Sequence, residues 1–149
     1  MFRKFFILGI SLFFLVESCF AQGSPDSIIK NLPASYIGTY EWEGDPDIWN
    51  VTVSFSERSA GNNGEVRLVG VEHFVNRRDK NKKFDSKIRA VINARTLGFD
   101  MSEVDETRKD GFISMVYTGK VSPELTNINA TWTGSQGKRV ILKLRASEH

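Results

Sequence analysis

The sequence predicts an all-β protein: an antiparallel up-and-down meander of about eight strands closing into a small barrel, with a β-sandwich as the runner-up architecture. Three observations predict it. Between Ile48 and Glu57, Trp49, Val51, Val53 and Phe55 fall on one face, while Asn50, Thr52, Ser54 and Ser56 fall on the other. A half-buried strand sorts residues in this way, whereas a helix scatters them around its circumference. From Gly111 to Arg145, three strand-like runs are joined by two short turns, at Pro123-Glu124 and at Gly134-Ser-Gln-Gly-Lys138. No stretch holds a helical period, and Gly-rich or charged turns recur at short, even intervals. Connections that short make sequential strands spatial neighbours, which favours the barrel.

The chain opens on an address. Arg3 and Lys4 precede the apolar run Phe5 to Val16, and Cys19-Phe20-Ala21 places small residues at −3 and −1 of a cleavage point before Gln22. A membrane-spanning helix needs about 20 apolar residues. Residues 1–21 therefore read as a signal peptide, and the mature protein as exported, periplasmic or secreted. Val16-Glu17-Ser18-Cys19 is similar to a bacterial lipobox, with Glu17 where a small or apolar residue is usual. A lipoprotein anchored through Cys19 is the alternative, and the only route by which a soluble barrel reaches a membrane. Cleavage leaves 128 of the 149 residues, one domain by length, carrying 18 basic and 17 acidic side chains. Such a chain buries about two-thirds of its unfolded surface. It does so without a disulfide, because Cys19 is the only cysteine. The near-neutral balance offers no concentrated basic face for nucleic acid.

Residues 22–35 form a polar lead-in. There Pro25 and Asp26 either start a short helical turn through Ile28-Ile29-Lys30 or leave a flexible tether. The barrel domain spans 36–146. Its first strand, Tyr36 to Trp42, puts Tyr36, Gly38, Tyr40 and Trp42 on one face. Glu43-Gly-Asp-Pro-Asp47 is a loop by its turn chemistry. The second strand runs from Ile48 to Glu57, and Ser59-Ala-Gly-Asn-Asn-Gly64 closes a hairpin, since Asn and Gly accept positive φ. The return strand is Glu65 to Asn76. Val66 and Leu68 point one way and Val69, Val71 and Val75 the other, so its apolar face is expected to switch at a bulge or bend near Gly70. Arg77 to Lys83 is a basic, solvated hairpin tip that discourages edge pairing; an anionic-partner patch is the competing use. Phe84 to Asn93 follows, with Ile88, Ala90 and Ile92 sharing a face. Leu97, Phe99 and Met101 make a fifth short strand after an Ala94-Arg-Thr turn, unless the two form one bent strand. The last three strands bury Ile113, Met115, Tyr117 and Val121, then Ile128, Ala130 and Trp132, then Val140, Leu142 and Leu144.

From Tyr36 to Arg145 the chain resembles the calycin group of small barrels, which includes lipocalins and avidins. The resemblance rests on the entry strand Gly38-Thr-Tyr40 and on Ala130-Thr-Trp132-Thr-Gly before a final strand ending in Arg145. Lipocalins usually carry Trp where Tyr40 stands, with a basic residue from the last strand stacked over it. The resemblance therefore implies Arg145 or Arg139 over Tyr40, a cation–π contact worth about 1 kcal/mol, and an interior that holds a small apolar ligand. No biotin-contact pattern carries over.

The aromatics carry the functional reading. Tyr36, Tyr40, Trp42, Trp49, Tyr117 and Trp132 include every Tyr and Trp of the chain. An aromatic pocket grips flat apolar ligands or sugar faces, and its polar tips orient them. Plain packing in a filled barrel competes with that use. The expected ligand-binding residues are Tyr40, Trp49, Phe99, Tyr117 and Trp132. No catalytic constellation is read: there is no Gly-x-Ser-x-Gly elbow, His73 is the one imidazole outside the terminus, and ordinary outward strand charges account for Glu72 and Asp100. Metal ligation finds no Cys/His set, and Glu41, Glu43, Asp45 and Asp47 read as a solvated acidic turn without calcium-loop spacing. Cofactors are none. Asn50-Val-Thr52 and Asn129-Ala-Thr131 fit the N-glycosylation pattern. The expected function is an exported, non-enzymatic binding barrel for a small apolar or aromatic ligand. The alternative is a ligand-free interaction module that adheres to protein or glycan through loops or an exposed face. An outer-membrane barrel is a third reading, and it requires the opposite face pattern.

Overall fold

In a computed structural model, residues 23–104, 116–133 and 137–148 are described. Strands form where the two-residue period predicts them: β1 Ser35–Trp42, β2 Ile48–Ala60, β3 Glu65–Asn76, β4 Lys83–Asn93, β5 Gly98–Glu103, β6 Val116–Val121, β7 Asn127–Thr133 and β8 Arg139–Ala146. Each pairs antiparallel with the next, and β8 returns to β1 from Tyr36↔Ala146 to Trp42↔Val140. The strand order β1 to β8 closes into a barrel, so the up-and-down meander is the fold and the sandwich is not. Ile113 and Met115 fall outside the described residues, as does the turn at 134–136.

The expected core faces point inward. Tyr36, Tyr40, Val51, Val53, Ile88, Ile92, Phe99, Met101, Tyr117, Ile128, Leu142 and Leu144 are all buried. Charged side chains alternate with them on the outside, as Lys83, Asp85, Lys87 and Arg89 do along β4. Apolar in and charged out is the reverse of a membrane-spanning barrel.

Two expectations are corrected. The face of β3 does not switch at Gly70. Val66, Leu68, Gly70, Glu72, Phe74 and Asn76 all point inward, and Val69 and Val71 are exposed. The irregularity sits on the partner strand instead, where the register slips between Phe55 and Glu57 opposite Gly70 and Val69. The bulge there absorbs the extra residue, so β3 keeps its alternation and carries a carboxylate into the interior. Strand β2 also runs on to Ala60, leaving only a 3-10 turn over Asn62–Gly64, with Asn63 and Gly64 at positive φ.

The two barrel ends differ. At one end the lead-in forms helix α1, Pro25–Asn31, and not a tether. Ser24 Oγ accepts from the Ser27 N–H, and Pro25 occupies the first turn where its missing donor costs nothing. Ile28 and Leu32 are buried beside Ala94 and Leu125, so α1 plugs the barrel. Arg58 donates to the Ile29 and Leu32 carbonyls at the end of the helix. Tyr36 donates its hydroxyl to the Leu125 carbonyl at 2.6 Å, which ties the β6–β7 turn to the same plug. The other end, referred to as the mouth, carries the turns 43–47 and 77–82 among the described residues.

Candidate functional site at the barrel mouth

Six aromatic side chains from five strands form one continuous chain of contacts at the mouth. Trp132 meets Trp42 edge to face at 5.5 Å. Trp42 meets Tyr40 at 6.3 Å, and Tyr40 meets Phe74 at 5.4 Å. Phe74 stacks on Phe84 at 4.4 Å, and Phe84 meets Trp49 at 5.4 Å. Strand ends set this arrangement: Trp42 closes β1, Trp49 and Phe84 are the second residues of β2 and β4, and Trp132 lies near the end of β7. Inward alternation then stacks Tyr40 and Phe74 one layer deeper. Trp42, Trp49, Phe84 and Trp132 are half-buried, while Tyr40 and Phe74 are fully buried. Edge-to-face pairs at these separations are worth about 1 kcal/mol each beyond their burial. A cleft of about 530 Å³ opens beside Trp42, lined by Glu43, Gly44, Asp45, Pro46 and Lys138.

Of the five expected site residues, the structure brings Tyr40, Trp49 and Trp132 into this chain, and Tyr117 hydrogen-bonds to Tyr40 across the barrel. Phe99 stands apart. It is the second residue of β5, opposite Ile92 and Gly119, in the half plugged by α1. Sequence reasoning missed Phe74 and Phe84 as mouth residues. Their signal is positional, since each flanks the basic hairpin tip whose turn must project from one barrel end. The cation–π contact implied for Tyr40 does not form. Arg139 and Arg145 lie exposed on the outer face, and Tyr40 is buried inside.

Polar side chains lie at two depths here: Asn76 at the rim opposite Trp49, and Glu72 and Ser86 one inward position below the Phe74–Phe84 pair. The buried polar or charged side chains among the described residues are Glu72, Asn76, Ser86 and Glu103. Glu72 faces Ser86 across β3–β4, and Glu103 faces Ile88, next inward residue to Ser86 along β4. Outward strand charge is the expected account of Glu72, and the unbroken alternation of β3 overturns it; Asp100 does point to solvent. Asn76 Oδ1 accepts from the Arg78 and Asp79 amides, which fixes the first turn of the basic tip. Asn76 Nδ2 and Ser86 Oγ have no hydrogen-bond partner among the described residues. Burying a donor in that condition costs about 1–3 kcal/mol.

The electrostatics follow from burial. Desolvation pushes the Tyr117 hydroxyl far above the ordinary phenol range, and the negative charges of Glu72 and Glu103 add to the effect. Tyr40 is raised for the same first reason, against the hydrogen bond that Trp42 supplies. Tyr36 is raised by burial beside Arg58, which acts the other way. These phenols stay neutral and serve as hydrogen-bonding groups. His73 points outward and contacts Asp85 on the neighbouring strand, far from the interior layer in the alternation. Among the described residues no group of three His, Cys, Asp or Glu side chains converges to hold a metal ion.

The class that fold and site define is a small closed antiparallel barrel, helix-plugged at one end and aromatic-rimmed at the other. Comparison with protein-family models and with curated proteins finds no match for this chain.

Proposed function

We propose that the protein is an exported, non-enzymatic binding barrel that takes a small apolar or aromatic ligand at its mouth. One observation carries the reading: all three tryptophans of the chain gather at the same barrel end, in one continuous aromatic chain, opposite the end stopped by α1. Half-buried aromatic faces bind flat apolar groups at little entropic cost. A closed eight-stranded antiparallel barrel is compatible with the calycin-like architecture, and apolar-ligand carriage in that group supports the same reading. Export rests on the leader at residues 1–21, with lipid anchoring through Cys19 as its variant.

The test uses the tryptophans as reporters. Titration with phenylnaphthylamine is expected to shift their emission saturably, and Trp49→Ala or Trp132→Ala to weaken binding about fivefold, the loss of about 1 kcal/mol. Emission that stays flat up to the solubility limit of the probe rejects the proposal. A second reading, a ligand-free interaction module, draws on Val69 and Val71, exposed side by side on the outer face of β3. Retained partner capture by a Val69→Ser, Val71→Ser double variant counts against it.

A further inference from the structure

We infer that the outer wall of the barrel, from β7 across β8 and β1 to β2, binds an acidic polysaccharide, a chain of sugars whose anionic groups meet Arg77, Lys143 and Arg145. This surface is separate from the mouth and does not depend on the mouth taking a ligand. It begins with where the strands place their charges. The near-neutral total conceals a segregation. From β6 through β7 and β8 to β1, the outward charged side chains are Lys120, Arg139, Lys143 and Arg145, against one acid, Glu41. On β3 to β5 the signs are mixed, with Glu65, Asp85 and Asp100 among Arg67, Lys87 and Arg89. The ion-paired arginines among the described residues are Arg67 and Arg78, whereas Arg77, Lys120, Lys143 and Arg145 hold no acid there.

The shape of the wall is the second observation. Two contiguous grooves flank β1. The one toward β2, of about 410 Å³, is lined by Thr39, Asn50, Thr52 and Arg77. The one toward β8 and β7, of about 200 Å³, is lined by Thr39, Asn127, Asn129 and Lys143. Ile37, Gly38 and Arg145 border both. Strand register fixes the order of groups across them. Lys120 opposes Asn129, Asn129 opposes Lys143, Lys143 opposes Thr39, and Thr39 opposes Asn50. Five strands at the usual spacing make this row roughly 20 Å long. Arg77 completes it from the hairpin tip, where its Nε donates to Asn50 Oδ1 at 2.8 Å and leaves the terminal guanidinium nitrogens for a ligand.

Cations alternate with amides and hydroxyls along the row. The cations suit anionic groups, which they hold by charge-assisted hydrogen bonds. The amides and hydroxyls both donate and accept, as sugar hydroxyls require. Single-stranded nucleic acid stacks its bases on aromatic faces, and the aromatic side chains of these strands turn to the core or the mouth. A membrane surface takes up exposed apolar side chains, and Ile37, 36% exposed, is the only large one that β1, β2, β7 and β8 expose among the described residues. The one opposing charge, Glu41, accepts from the Thr39 hydroxyl at 2.9 Å, and the Thr39 oxygen keeps its capacity to accept.

The test measures binding to the intact protein by calorimetry. Polygalacturonate supplies both charge and hydroxyls, its methyl ester the same sugars without charge, and polyglutamate the charge without hydroxyls. Polygalacturonate is expected to bind about tenfold more tightly than either. The double variant Lys143→Gln, Arg145→Gln is expected to weaken it about tenfold, and Lys87→Gln, Arg89→Gln, which removes the same charge from β4, to stay within about twofold. All four side chains are exposed, so both variants keep the fold. Equal losses in the two variants would show that net charge alone is read, and overturn the inference. Polyglutamate, single-stranded DNA or anionic lipid vesicles binding as tightly as polygalacturonate overturns it too, as does the absence of polygalacturonate binding. None of these results touches the mouth.

Discussion

Gly38, Gly70 and Gly119 face the barrel interior at places where no side chain fits. A Cβ on Gly70 would lie 2.1 Å from the Ser54 carbonyl oxygen, one on Gly38 1.8 Å from that of Lys143, and one on Gly119 2.0 Å from that of Asn129. The obstacle in each case is the backbone of the neighbouring strand, which cannot step aside without breaking the ladder. These are the points where strands coil hard enough to close eight of them into a ring. Gly70→Ala is therefore expected to destabilise by about 3 kcal/mol, the upper part of the range for forced overpacking. Gly61→Ala is the contrast: its Cβ would meet the flexible Arg67 side chain at 2.9 Å. That change is expected to cost less than about 0.5 kcal/mol. Urea midpoints for the two variants check both values, and equal losses would mean that strand approach is not what fixes glycine at position 70.

At the scale of elements, α1 decides which end of the barrel is stopped by the N-terminal segment. Its seven residues are too few to be stable alone. It exists because Ile28 and Leu32 cover the apolar end left by Phe55, Val66 and Leu125. Ile28→Ala is expected to cost about 3 kcal/mol by cavity formation, and Ser24→Ala about 1 kcal/mol by loss of the cap. Thermal unfolding of the two variants checks the ratio; similar shifts would show that the helix is held by its cap and not by the barrel. The helix also marks the limit of sequence reading. Pro25-Asp26 signals a helical start, but only the tertiary contact of Ile28 separates a plug from a tether. The strands are legible because burial on one face imprints a period of two, as in Trp49 to Phe55. Glu72 is illegible for the same reason. Its neighbours Val69, Val71 and Val75 are the more apolar set, so hydrophobicity favours the outer face. Only the bulge on β2, set by pairing with another strand, keeps β3 in phase and turns Glu72 inward. The aromatic chain at the mouth is half legible: Tyr40, Trp49 and Trp132 stand out by residue type, whereas Phe74 and Phe84 join them only through the closure of the ring.

For the whole molecule, the burial of every tyrosine has a consequence in alkali. The chain has three, Tyr36, Tyr40 and Tyr117, none more than 1% exposed. Burial raises all three hydroxyls above the ordinary phenol value of about 10. The folded barrel thus keeps protons that the unfolded chain gives up. Stability is untouched by these groups below about pH 10 and falls as the pH rises beyond it, because ionisation then favours the unfolded state. Each retained proton removes about 1.4 kcal/mol per pH unit, so three remove about 4 kcal/mol per unit. A domain with about 5–15 kcal/mol in reserve exhausts it within about one to four units. Strand circular dichroism and tyrosinate absorbance are therefore expected to change together, in one cooperative step above about pH 11. Tyr36→Phe reduces the slope by about a third, since one titrating group is gone, even though the lost bond to the Leu125 carbonyl lowers the starting stability. A gradual rise in tyrosinate absorbance centred near pH 10, with the strand signal unchanged, would place the phenols in water and dissolve both the Tyr40–Tyr117 bridge and the layer beneath the mouth. That result would also remove the acids' neighbours from the interior, so the alkaline titration bears on the site as directly as on the fold.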